Sequence, residues 1–302
     1  MKNILNHIIL LFLITAILVA CHEKRTSDDM SDSEKLEMLD IKIEKNPNDA
    51  ELLAERAKVL IALGRPKEAA YDINRAVNIE PDNVEFRLIQ ADAYFANGDV
   101  ENSYKTLSEA EKIAPEDEEV LLKMGEITYY SRDYDRSLQY LSKVTEKKPN
   151  DRTALFMKGF IYKEKGDTAS AVTLLRKVCD LNPDYEPAFE ELGVLYASRQ
   201  NPLAVEYLTT ALHIEPTNTN AIYALAMYYQ DIEEYDKAEE LYHQLLSINE
   251  QSADAWHNLG YIEMTHYGDF ERAVEYFDKA LAADSTHEAS LYNRQLAIEN
   301  RK

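Results

Sequence analysis

PDNVEFRLIQADAYFANGDVENSYKTLSEAEKIAP, residues 81–115, runs from one proline to the next, and its length decides the fold. Prolines recur at positions 47, 81, 115, 149, 183 and 216, so the spacings are 34, 34, 34, 34 and 33 residues. A fixed period of this size marks one supersecondary unit copied end to end. Within the quoted copy Phe86, Ile89 and Ala93 share one helix face, and Gly98 punctuates the stretch between a first helix and a second. Units that touch mainly their neighbours stack into a solenoid with a long exposed wall, an architecture suited to holding a partner and not to enclosing a reaction.

Counting from the prolines places seven units at 50–83, 84–117, 118–151, 152–185, 186–218, 219–252 and 253–287. The last carries Trp256-x₂-Leu259-Gly260 and then Ala273-x₃-Phe277-x₂-Ala280. Earlier copies repeat the pattern with exchanges: Phe189-x₂-Leu192-Gly193-x₂-Tyr196, Ile222-x₂-Leu225-Ala226-x₂-Tyr229 and Ala69-x₃-Ile73-x₂-Ala76. With these motifs the chain resembles the tetratricopeptide repeat family. The resemblance implies an all-α fold, a right-handed α-solenoid of helix–turn–helix repeats, in which the first helix of each pair lines a concave wall.

The glycines agree with that division. Gly125, Gly159, Gly193 and Gly260 stand where two helices of a unit cross, and Gly64, Gly98, Gly166 and Gly268 stand in the turn between them. No glycine is left over for a phosphate-binding loop. Asp99, Asp167 and Asp269 follow turn glycines and suit the N-cap of the second helix. Pro66 and Pro202 are expected early in second helices, where a missing N–H is harmless. Arg56, Gln90 and Lys158 replace the leucine that the family prefers and are expected to snorkel from the core edge. Residues 34–46 repeat only the second half of a unit, with Leu36, Leu39 and Ile43 as the apolar stripe. Residues 288–300 repeat only the first half. There Leu291 and Ile298 are expected to face back onto the array, with Asn293, Arg294 and Gln295 outward. These are the caps of a solenoid spanning 34–302.

Residues 1–20 are read as a signal segment: Lys2 precedes an apolar run from Ile4 to Val19 that is short for a membrane span. The run ends in Leu18-Val19-Ala20-Cys21, which resembles the bacterial lipobox and implies cleavage before Cys21 and its acylation. Residues 21–33 are polar and charged and are expected to be a flexible tether. Cys179 is the one other cysteine, so no intramolecular disulfide is expected, and its place in an amphipathic helix suits a small buried hydrophobe. With 33 basic against 55 acidic residues the formal net charge is −22, which makes nucleic acid and anionic lipid poor partners.

Helical spacing puts Ala54/Lys58, Leu88/Asp92, Leu122/Glu126, Phe156/Phe160, Glu190/Val194, Tyr223/Met227 and His257/Tyr261 on the inner wall. Its early half is mixed and acidic. From the fourth unit onward Phe156, Phe160, Val194, Tyr223, Met227, His257 and Tyr261 form a largely aromatic and apolar strip, the candidate partner-binding groove. Receptors of this family for chaperone tails clamp a peptide carboxylate with Lys, Asn and Arg on these positions. Only Lys58 fits that pattern, and Asp92 and Glu126 would repel the carboxylate. HExxH, GxSxG, CxxC and glycine-rich phosphate motifs are absent from the sequence, and its seven histidines are scattered. The expectation is therefore a non-enzymatic adaptor without cofactor or metal, lipid-anchored in the bacterial cell envelope, at the outer membrane, and binding envelope proteins or peptide segments with apolar and basic character. The alternative is a glycan-binding component of an outer-membrane uptake system, favoured by 20 tyrosines but lacking a long non-repeat insertion.

Overall fold

A computed structural model of the protein describes residues 30–301. The expected signal segment, Cys21 and most of the expected tether lie outside the described residues. All regular structure among those described is helical.

The first helix, α1 (Asp32–Lys45), begins inside the stretch expected to be tether. The reason is local: Ser31 Oγ accepts from the Glu34 N–H while the Glu34 carboxylate accepts from the Ser31 N–H, a reciprocal capping box. Helices then follow in pairs: α2 (Ala50–Ala62) and α3 (Pro66–Ile79), α4 (Val84–Ala96) and α5 (Val100–Ile113), α6 (Glu118–Tyr130) and α7 (Tyr134–Lys147). The next are α8 (Arg152–Glu164) and α9 (Thr168–Leu181), α10 (Glu186–Ala197) and α11 (Leu203–Ile214), α12 (Thr219–Asp231) and α13 (Tyr235–Ile248). The last pair is α14 (Ala253–Ile262) and α15 (Phe270–Ala283), followed by the single α16 (Glu288–Asn300).

Each repeat proline stops a second helix, and two residues later a short polar side chain starts the next. Asp49, Asn83, Asp117, Asp151 and Asn218 each accept the N–H three residues on. After Pro183 the matching position is Tyr185, which makes no side-chain cap, and Pro187 in the first turn serves instead. Pro202 is itself the N-cap of α11 and lies just outside the helix. The seventh unit is one residue longer than the 34-residue period. Its extra residue is taken up by a π-helical turn, Glu263–Tyr267, at the end of α14. That turn swings the Glu263 carboxylate inward, where it is buried and paired with Arg272 at 2.9 Å.

The chain divides into two compact units, the first ending at Asp133 with α1–α6 and the second starting at Tyr134 with α7–α16. Within each, successive helices pack on one another, and first helices of neighbouring repeats also meet: α2 with α4, α10 with α12, α14 with α16. The small residues at the crossings explain the close approach. A Cβ on Gly193 would lie 2.6 Å from Leu208 Cγ, and one on Gly260 would lie 2.8 Å from the Phe277 ring. Cys179 is buried in α9, and burial pushes its thiol up to about 12, the behaviour of an inert core residue.

Two expectations are overturned. Arg56, Gln90 and Lys158 do not reach for solvent but bridge to the second helix of the preceding unit. The Arg56 guanidinium donates to Asp40 at 2.7 Å, Gln90 Nε2 to Asn74 Oδ1 at 2.6 Å, and Lys158 Nζ to Ser142 Oγ at 3.1 Å. Arg56 also forks onto Asp72, whose side chain is 2% exposed. The closing helix is also rotated from its expected setting. Ser290 and Ala297 are fully buried, whereas Leu291 is 50% and Ile298 36% exposed. Asn293 turns inward to His257, while Arg294 pairs with Asp278 at the surface. Leu291 occupies the position of Trp256, which stacks on Tyr276 of its own second helix; α16 has no such helix among the described residues.

Candidate protein-binding site

The seven strip residues fall into three groups, all in the second unit. Val194 on α10 and Tyr223 and Met227 on α12 come together in a cleft of about 360 Å³, floored by Ala197 and Ala224 and edged by Asp231. Its walls are mostly aliphatic or aromatic carbon, the surface that gains most from covering.

Phe156 and Phe160 form a second group on α8, with ring centroids 6.3 Å apart. Phe156 sets its ring edge-on to Tyr185 at 5.4 Å, and the Lys163 ammonium sits 4.0 Å over the Phe160 ring while pairing with Glu191 at 2.6 Å. These rings are half-buried and partly engaged already. His257 and Tyr261 make the third group, 6.4 Å apart. Tyr261 is 39% exposed, but His257 is held on both sides, its Nδ1 3.3 Å from Asn258 Oδ1 and its Nε2 3.0 Å from Asn293 Nδ2. Burial and the neighbouring His287 hold its pKa below the ordinary imidazole value.

Sequence reasoning missed the polar side chains behind the cleft. Buried Asn258 donates to the Tyr223 hydroxyl at 3.2 Å and approaches Met227 Sδ at 3.4 Å. The Tyr242 hydroxyl donates to Gln230 Oε1 at 2.9 Å and lies 3.1 Å from the same sulfur. Both cleft side chains are thereby fixed from behind. No periodic signal points to Asn258, because the equivalent positions in other copies hold Glu55, Ile89, Lys123, Met157, Glu191 and Ala224. Beyond the cleft on α10, Glu186 and Glu190 both accept from the single amide of Asn218, at 2.6 and 2.7 Å. Burial raises the Glu186 pKa, the Asn218 amide opposes the shift, and Glu190 and Glu215 add to it: three carboxylates share this corner.

In the first unit the wall positions behave differently. Ala54 and Leu88 are buried, at 3% and 4% exposure; Leu88 shows only an edge to a surface cleft, and Ala54 lies in the core. Lys58 is paired with Glu85 and Lys123 with Asp92, each at 2.6 Å, around a cleft of about 470 Å³. The single lysine of the carboxylate clamp is thus already neutralised. Among the described residues no cluster of three or more His, Cys, Asp or Glu is placed to hold a metal ion.

Three family models, each described as tetratricopeptide repeat, match residues 60–127, 153–185 and 223–288, together just over half of the sequence. The chain belongs to the tetratricopeptide repeat family. Over 102 residues, 30% of its length, it is 34% identical to the Regulatory protein RapD of Bacillus subtilis (strain 168). That match spans only 28% of the curated relative. A tetratricopeptide repeat protein from Parabacteroides merdae superposes with a TM-score of 0.60 at 17% identity, over 82% of this chain and 98% of that one. YrrB, described as a TPR protein with an unusual peptide-binding site, gives 0.53 at 22% identity, over 63% of this chain and 97% of that one. At these identities the two structures share the fold with this protein. The tetratricopeptide fold is a scaffold for protein–protein interaction.

Proposed function

We propose that the protein is a non-enzymatic adaptor of the bacterial cell envelope, anchored through acylated Cys21 at the outer membrane, that holds an apolar segment with basic flanks from an envelope protein. The cleft formed by Val194, Tyr223 and Met227 carries the reading: it is apolar, preorganised by Asn258 and Tyr242, and edged by the Asp231 carboxylate, with Glu186 and Glu190 further along the helix that carries Val194. Covering such a surface with an aliphatic or aromatic anchor is favourable. Lysine or arginine beside the anchor would relieve the repulsion among Glu186, Glu190 and Glu215. The net charge of −22 supports a partner that is not nucleic acid. The peptide-binding site described for YrrB supports the mode, and Leu18-Val19-Ala20-Cys21 supports the anchor.

Panning a displayed peptide library on the purified protein should enrich sequences with one large apolar residue flanked by Lys or Arg. Ala224→Arg fills the cleft and repels basic flanks, so it should weaken the enriched peptides by about 2 kcal/mol or more while leaving helix content unchanged. Undiminished binding would place the partner elsewhere, and affinity for oligosaccharides alone would favour glycan capture. Anchoring is tested separately: Cys21→Ser should abolish metabolic labelling by a palmitate analogue, and labelling at the wild-type level would overturn the lipid anchor.

A further inference from the structure

The closing helix α16 is fastened to the last repeat by two histidines, and both act as hydrogen-bond acceptors. His287 is the N-cap of α16. Its Nδ1 lies 3.1 Å from the Ser290 N–H and 2.6 Å from the Ser290 hydroxyl, both donors. Its Nε2 lies 3.1 Å from Asp254 on α14, to which it donates. Nδ1 therefore has to carry the lone pair, which fixes the neutral Nε2–H tautomer. His257 on α14 has the opposite tautomer, with Nδ1–H toward the Asn258 carbonyl and Nε2 accepting from Asn293 of α16.

We propose that this histidine pair is a pH-operated latch that releases the closing helix on acidification. A proton on His287 Nδ1 removes the acceptor that caps α16. The backbone N–H of Ser290 cannot turn round to match, and a cation then sits at the positive end of the helix dipole. A proton on His257 Nε2 opposes the Asn293 amide, which can recover a bond only by rotating. The two rings are 5.2 Å apart, so the second charge is resisted by the first.

The charged groups facing the pair are few. Asp254 on α14, bonded to His287 Nε2, opposes the lowering at His257; Asp284 in the turn after α15 is held down in part by His287; and from α15 the Phe277 ring lies 5.6 Å from His257. On α16 itself Ser290 and Asn293 face the pair and carry no charge. Burial and His287 hold the His257 pKa below 6.5. A histidine whose folded pKa is depressed contributes stability that is present above its unfolded value. That stability is lost as pH falls through about 6.5 toward the folded value. The window is therefore mildly acidic.

Hydrogen–deuterium exchange, corrected for intrinsic pH dependence, tests the latch on the full chain at pH 7.5 and pH 5.0. Protection of residues 288–300 should fall about tenfold in acid, the equivalent of one lost cap, while residues 168–181 in α9 keep theirs. His287→Asn keeps a capping oxygen without a titrating group, and combined with His257→Gln it should remove the pH dependence. Protection of α16 that does not change with pH in the wild type, or that changes equally in the double variant, overturns the proposal. Imidazole ¹⁵N shifts of the wild type at pH 8 give a check that needs no variant: His287 should report Nε2–H and His257 Nδ1–H. Either tautomer reversed overturns it as well.

Discussion

All seven turns between paired helices hold one residue at positive φ: Gly64, Gly98, Gly166 and Gly268 between 69° and 77°, and Arg132, Gln200 and Glu233 at 59°, 52° and 64°. An L-residue there costs roughly 1–2 kcal/mol, while glycine costs roughly 0.5–1 kcal/mol more than alanine in lost freedom. Glu233→Gly should therefore stabilise the protein by about 0.5 kcal/mol, read as a raised urea midpoint at unchanged slope. Gly64→Ala is the converse. Nothing lies within 4 Å of the added Cβ, so the backbone alone acts, and stability should fall by about 1 kcal/mol. Equal stability of Gly64→Ala and wild type would show that the left-handed turn carries no strain. The spacing of the glycines already located four of the turns. The other three were legible only by counting one period from a glycine, because Arg, Gln and Glu have no turn signature of their own.

At the scale of helices, the polar rungs decide how neighbouring units grip. Arg56, Gln90, Lys158 and Arg294 each bond a residue 16 places earlier on the preceding helix. Where a rung is apolar, as at Leu192 and Leu225, the side chain is buried in the core instead. Arg56→Leu would leave Asp72 buried without its cation and should cost about 3–5 kcal/mol. Arg56→Leu with Asp72→Leu should recover most of that loss, since Leu174 and Leu241 stand at the equivalent of Asp72. A double variant as unstable as the single one would show that the ion pair is required for assembly. A second charge on α6 behaves oppositely. Burial raises the Glu126 pKa, with Lys123 opposing and Asp92 adding to the shift. A raised carboxyl pKa penalises the folded state as pH rises above the unfolded value near 4.5, and the penalty is complete above the folded value. Glu126→Gln should accordingly be more stable than wild type at pH 7, and the gain should vanish near pH 4. Thermal melts at both values measure it.

At the scale of the molecule, stability in a repeat array is close to a sum over neighbouring interfaces. Gly193→Ala drives a Cβ to within 2.6 Å of Leu208 Cγ and 3.1 Å of its backbone nitrogen, a clash costing about 1–3 kcal/mol. The second unit should lose hydrogen-exchange protection around α10–α12 while α2–α5 of the first unit keep theirs. Uniform loss from residue 30 to 301 would show that the chain opens as one block. The same variant bears on binding, because α10 and α12 frame the cleft: partner affinity should fall further than global stability does.

What the sequence alone determined is whatever depends on residues within a turn or two of each other. The proline period, the Asp or Asn two residues beyond it, the small residue at each crossing and the 3.6-residue apolar stripe all act locally. They placed the helices and, through the repeat motifs, the family. What only the tertiary structure decided depends on a neighbour being present at a particular height and angle. Val194 and Tyr223, 29 residues apart, share one cleft, whereas Phe156 and Phe160 turn to Tyr185 and Lys163. Asn258 has no helical or repeat signature, yet it sets both cleft side chains. Leu291 and Ile298 read as an inward stripe on their own helix but lie outward, because a stripe names two edges and packing on α15 selects the face that Ser290 and Ala297 occupy. Helix periodicity supplies an apolar face; contact free energy, which is not local, chooses the surface that covers it.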